Sequence, residues 1–313
     1  MVEQTKGGTS RYFIQKTYSS YGDKTIKISN NLLTMNANGG LTGNELTSQM
    51  RSIRFGSKFT GISPSCFVDC ARLSSATLNA KCLEIGDAAF KNCTSLKYVN
   101  CLEPNTQTIV TQIGNEAFRN TGLEDIDVQL SNGGSYGATC GSYAFADCTE
   151  LTSVKLERNP YLGEYMFQNC TNLKKFSMAN SHSYVGRNAF ENCVSLKEVT
   201  FPKNFYWLTQ EMFKGCVNLS KVTFEETSQL KTVDNDVFSG CNSLTAITLP
   251  SSVDSLTYID DNFLRGSKVS RVVFNGLEDK DIATEYSKPQ EYTYSTNKIY
   301  DNLADIKNIT EEC

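Results

Sequence analysis

Histidine is almost missing from this chain of 313 residues, and His182 is its sole example. That scarcity removes the usual general base of nucleophilic catalysis and the usual ligand of catalytic zinc. No G-x-S-x-G, H-E-x-x-H or G-x-x-x-x-G-K phrase occurs. No C-x-x-C occurs either, so a cysteine-based zinc site has no framework. Apolar runs stop at four or five residues, too short for a membrane-spanning helix. The start, Met1 to Gly8, lacks a basic segment followed by an apolar one, so no signal peptide is visible. The net charge is −4, without the basic footprint of a nucleic-acid binder. These absences lead to the expectation of a non-enzymatic chain with no cofactor, no metal, no nucleic-acid partner and no membrane span.

Charge is unevenly placed. Residues 1–60 hold eight basic and three acidic side chains, a balance of +5, and residues 275–313 hold four and nine, a balance of −5. Opposite polarity at the two ends would favour head-to-tail contact between copies, although solvated ends are the simpler reading. The oligomeric state stays open at this point.

What the sequence does contain is a repeated phrase, Ala-Phe-x-x-Cys-x-x-Leu. Its phenylalanines are Phe67, Phe90, Phe118, Phe145, Phe167, Phe190, Phe213, Phe238 and Phe263, spaced by 22 to 28 residues with a base step of 22–23. Three residues on stand Cys70, Cys93, Cys148, Cys170, Cys193, Cys216 and Cys241, with Thr121 and Gly266 in the other two copies. Six residues on comes leucine in most copies, from Leu73 to Leu244. Then apolar residues alternate with polar ones, as in Val154 and Leu156, Val199 and Phe201, Ile247 and Leu249. Self-similarity at this period marks a solenoid.

The spacing of two reads as a strand, and the spacing of three as a short 3-10 or helical turn. Stacked coils then give a parallel sheet with strands about 4.8 Å apart. Phe, Cys and Leu form the structural core, because a single coil cannot bury them without its neighbours. Seven cysteines at one inward position are read as reduced core thiols, since free cysteine is among the most buried residues. A bond among Cys66, Cys82, Cys101, Cys140 and Cys313, which lie off that position, stays open. Residues 1–50 are expected to form an N-terminal cap, 51–275 the solenoid of about nine repeats, and 276–313 a C-terminal cap and tail. Tyr12–Ile14, Thr25–Ile28 and Ser52–Phe55 read as short strands, and 299–306 as a short helix.

Phrases such as Ile85-Gly-Asp-Ala-Ala-Phe-Lys-Asn-Cys-Thr-Ser-Leu96 and Val185-Gly-Arg-Asn-Ala-Phe-Glu-Asn-Cys-Val-Ser-Leu196 resemble the BspA-like, or Treponema pallidum-type, leucine-rich repeats. The resemblance covers roughly residues 50–275. It implies a curved solenoid with a parallel β-sheet on the concave side and short turns on the convex side. It also implies a cell-surface or secreted protein that adheres to a protein ligand, such as a host extracellular-matrix protein like fibronectin. The family brings no catalytic residues. Insertions at Glu103–Thr111 and Leu130–Cys140 depart from its pattern. A structural or assembly subunit is the alternative, and a carbohydrate-active enzyme a distant one.

Candidate binding residues lie between the phrases. Six residues before the phenylalanine stand Tyr161, Tyr184 and Trp207 on three consecutive copies, with an apolar residue after each. Extended chain would point them outward as an aromatic column, with Tyr206, Phe205 and His182 close by. The outward side of the main strand adds Tyr98, Asp125, Asp127, Lys155, Lys175 and Lys221, acidic at one end and basic in the middle. The sequons at Asn92 and Asn169 arise because the repeat spells Asn-Cys-Thr, so they carry little weight.

Overall fold

The computed structural model describes residues 2–6, 9–14, 25–27, 52–54, 61–62, 64–78, 84–101, 109–126, 129–130, 138–156, 160–178, 184–225, 228–250, 258–260 and 262–274. His182, the expected helix at 299–306, and Cys82 and Cys313 lie outside the described residues. Each coil contributes a long strand, a short strand and a turn bearing the phenylalanine. Long strands stack in parallel, as in Ser153–Leu156, Lys175–Met178, Glu198–Phe201 and Lys221–Phe224. Their alternation is visible in burial: Phe176 and Met178 point inward while Lys175 and Ser177 are exposed. Thr25–Lys27 and Ser52–Arg54 extend this stack toward the N-terminus.

A second parallel stack runs through the residues just before each turn. It joins Gly61–Ile62, Glu84–Ile85, Gln112–Ile113, Ala138–Cys140 and Pro160–Leu162, continues by a bridge from Leu162 to Val185, and resumes at Trp207–Leu208. An antiparallel hairpin, Val2–Lys6 with Thr9–Ile14, pairs onto its first strand. The two insertions also meet, because Ile109–Val110 pairs with Gln129–Leu130.

The turns join the coils on a third side. The N–H groups of Ser65, Phe67 and Asp69 donate to the carbonyls of Asp87, Ala89 and Lys91 on the next coil, at 2.7–2.9 Å. Within a coil, Cys70 N donates to Phe67 O and Leu73 N to Cys70 O, at 3.2 and 2.9 Å. The spacing of three therefore appears as successive hydrogen-bonded turns. A 3-10 helix cannot propagate through them, because the residue two after the phenylalanine has positive φ, as at Asn92 (62°) and Asn169 (59°). Asparagine tolerates that conformation better than most side chains.

All nine repeat phenylalanines are buried. From Phe67 to Phe238 each ring stacks on the next, with centroids 5.2–5.8 Å apart. Beside them, each ladder thiol from the second coil onward donates to the carbonyl of a phenylalanine one coil earlier: Cys93 to Phe67, Cys170 to Phe145, Cys193 to Phe167 and Cys241 to Phe213, at 3.1–3.2 Å. The nine cysteines with described side chains are buried, and the seven on the ladder are free thiols. A further ladder runs on the turn surface, where Asn92 Nδ2 donates to Asp69 Oδ1 and Asn120 Nδ2 to Asn92 Oδ1. Asn169 and Asn192 repeat it above Asp147.

Candidate functional site

The short-strand stack sets the aromatic column. Parallel pairing places Thr139 opposite Tyr161, and Leu162 bridges to Val185. Leu162, Val185 and Leu208 point inward, so the preceding residue of each coil points outward. The rings of Tyr161 and Tyr184 stack with centroids 4.7 Å apart and planes 14° apart. That separation matches the pitch of the strands, so the rings lie nearly across the solenoid axis. Tyr161 is 49% exposed, one of two large apolar side chains so open among the described residues.

Trp207 breaks the pattern, with its ring 5.6 Å from Tyr184 and turned by 76°. The cause lies on the following coil. Trp207 Nε1 donates to Asp234 Oδ2 at 3.0 Å. An indole N–H lies in the ring plane, so a bond toward the next coil brings the plane along the axis. Burial pushes the Asp234 carboxyl above the usual range, and the indole bond opposes that rise. Burial likewise pushes up the Tyr184 hydroxyl.

Close packing of the coils behind the column needs glycine. A Cβ on Gly163 would lie 2.5 Å from Ser142 N and from Gly141 C, both backbone atoms. On the tryptophan coil Thr209 stands in the equivalent place, and its hydroxyl donates to Val185 O at 3.0 Å. The change from stacked to edge-on rings coincides with that substitution.

The structure thus brings Tyr161, Tyr184 and Trp207 together, as the residue pattern predicts. Tyr206 is half-buried beside Trp207, and its carbonyl accepts bonds from Lys231 N and Thr232 N. Phe205, expected near the surface cluster, is instead fully buried and stacks on Phe201 at 4.1 Å. Tyr98, Lys175 and Lys221 are exposed but belong to the long-strand stack, a different sheet from the column. Register inserts Glu198 between Lys175 and Lys221, so the basic middle is interrupted by one carboxylate. Tyr98 donates to Glu124 Oε2 at 3.3 Å, and Lys97 pairs with the same carboxylate.

A second aromatic pair was not singled out by the residue pattern. Tyr143 and Tyr165, each two residues before a repeat phenylalanine, stack at 4.7 Å and 1°. Arg119 sits over Tyr143 and Arg187 over Tyr165, at 5.2 and 5.9 Å. Both arginines are paired with carboxylates, Arg119 with Glu116 and Asp147, Arg187 with Glu164. The signal was legible as tyrosine at one repeat position on adjacent copies. Among the described residues no group of three or more His, Cys, Asp or Glu is placed to hold a metal ion.

Coil geometry and repeat phrase find their counterpart in a known family. The profile of the BspA type leucine rich repeat region, in six copies, matches residues 45–136 and 138–270. The chain belongs to the BspA-type leucine-rich-repeat family. Solved structures similar to this BspA-type chain include a leucine rich repeat protein of T. pallidum, at 22% identity and TM-score 0.42 over 62% of this chain and 77% of that one. A leucine-rich repeat protein of Bacteroides ovatus is 18% identical, with TM-score 0.34 over 87% and 86%. A leucine rich cell surface protein of Faecalibacterium prausnitzii is 16% identical, with TM-score 0.33 over 89% and 96%. None of the curated proteins matches the sequence.

Proposed function

We propose that this BspA-type solenoid is a non-enzymatic binding protein of the cell surface, and that its aromatic column takes up a protein ligand of the extracellular matrix. The observation that carries the reading is the outward column Tyr161–Tyr184–Trp207, held on a closely packed sheet. Tyrosine and tryptophan supply large contact area with few torsions to freeze, and they dominate binding hot spots. Here the torsions are already restrained by ring stacking and by the Asp234 bond, so ordering costs on binding are small. The upper face of Tyr161 and the broad face of Trp207 are the surfaces a partner would cover.

The test is capture from a panel of immobilised matrix proteins, fibronectin included, by the purified chain. Retention of at least one member supports the reading. Retention of none contradicts it.

A further inference from the structure

We propose that the middle of the long-strand stack is a second, separate binding surface, for a sulfated glycosaminoglycan. Four lysines gather on three consecutive coils: Lys174 and Lys175, Lys197, and Lys221. All four are exposed. Register aligns Lys175, Glu198 and Lys221 across adjacent strands. The same register sets Lys174 beside Lys197, one strand spacing of about 4.8 Å away. Like charges so placed repel, and no ion pair relieves these four among the described residues. Lys91, Lys97 and Lys214, by contrast, are paired with Glu116, Glu124 and Glu211. Among the described residues, register sets one carboxylate, Glu198, between these lysines, which leaves the five side chains with a balance of +3 on a chain of net charge −4.

An unrelieved cationic patch on an acidic protein calls for an anionic occupant. The outward side chains two residues further along each strand decide its class. They are Ser177, Thr200 and Thr223, and the two threonine hydroxyls lie 2.8 Å apart. Hydroxyls of this kind can form hydrogen bonds with sulfate oxygens and sugar hydroxyls. An acidic peptide would need apolar anchors as well. Among the described residues, the two exposed large apolar side chains, Tyr98 and Tyr161, lie on other strands. A regular polyanion whose recognition needs only charge and hydroxyl contacts fits this face better.

This proposal stands apart from the aromatic column, and its test keeps them separate. The probe is heparin, applied to the full chain at 0.15 M salt and over a salt series. The wild type is expected to bind with affinity that falls as salt rises. K174S/K175S/K197S/K221S is expected to lose at least about tenfold, because each cation near a polyanion contributes several-fold. Glu198→Gln is expected to bind more tightly, and the triple Tyr161→Ser, Tyr184→Ser, Trp207→Ser variant to bind as the wild type does. A melting curve for each variant checks that the exposed substitutions leave the fold intact. No heparin binding by the wild type, undiminished binding by the folded lysine variant, or tighter binding of polyglutamate than of heparin would each overturn the assignment.

Discussion

The thiol of Cys216 lies 3.0 Å from the carbonyl oxygen of Phe190, one coil earlier. The same carbonyl accepts Cys193 N within its own coil. Cysteine at this position therefore fills a small buried volume and caps a carbonyl that the turn leaves half-used. An apolar residue in its place would lose the bond. Thr121 shows the alternative, since its hydroxyl bonds to Phe118 O and also touches Cys148 Sγ at 3.2 Å.

Burial pushes the ladder thiols from Cys93 onward above the ordinary value of about 8.5, to about 11 at Cys148 and about 12 at Cys241. A folded-state value above the unfolded one means the native state holds its protons longer. The stabilisation is whole below about pH 8.5 and is lost as pH rises through the folded values. Two outcomes follow for the native protein. A thiol reagent at pH 8 should label none of the nine buried cysteines until denaturant is added. The melting temperature should fall as pH rises above about 9, and fall less in a variant with Cys148 and Cys241 replaced by serine.

Phe190 stacks between Phe167 and Phe213, at 5.5 and 5.3 Å. Replacing it with alanine leaves a cavity that neighbouring rings cannot close without breaking coil pitch. A loss of about 3–5 kcal/mol is expected in urea unfolding. An unchanged midpoint would contradict a core built on this ladder.

Gly163→Ala should also destabilise strongly, by roughly 1–3 kcal/mol, because the new methyl meets backbone rather than a movable side chain. The turn position behaves differently. Asn169 has φ of 59° and its amide donates to Asp147 Oδ1. Asn169→Gly should therefore cost less than Asn169→Ala, by about 1 kcal/mol, since glycine adopts that conformation freely. The same bond occupies the amide of a sequon. Secretion from a eukaryotic cell should leave Asn92 and Asn169 unmodified, as an intact mass would show.

Most of the fold was legible in the sequence because the repeat is strict where coils touch. Phe, Cys and Leu recur at fixed offsets, and each faces the core. The short-strand stack was only half legible. Its inward residues Leu162, Val185 and Leu208 pointed to extended chain, but two-residue strands such as Trp207–Leu208 give too little alternation to be read as a sheet. The 3-10 expectation took account of spacing but not of positive φ, which Asn92 and Asn169 signal only by their residue type. At the candidate site, the column followed from period alone. Burial of Phe205 did not, because it depends on Phe201 and on the turn at Pro202, outside the repeat phrase. The Tyr143–Tyr165 pair was missed since its position tolerates Ser65, Ala88, Glu116 and Asn188 elsewhere.

The outward column carries the proposed function. Its most direct test is the affinity of the Tyr161→Ser, Tyr184→Ser, Trp207→Ser variant for whichever matrix protein the wild type captures, measured at equilibrium beside a melting curve. A loss of at least about tenfold with the fold intact is expected, as removal of aromatic anchors usually gives. Binding undiminished in a folded variant would contradict it.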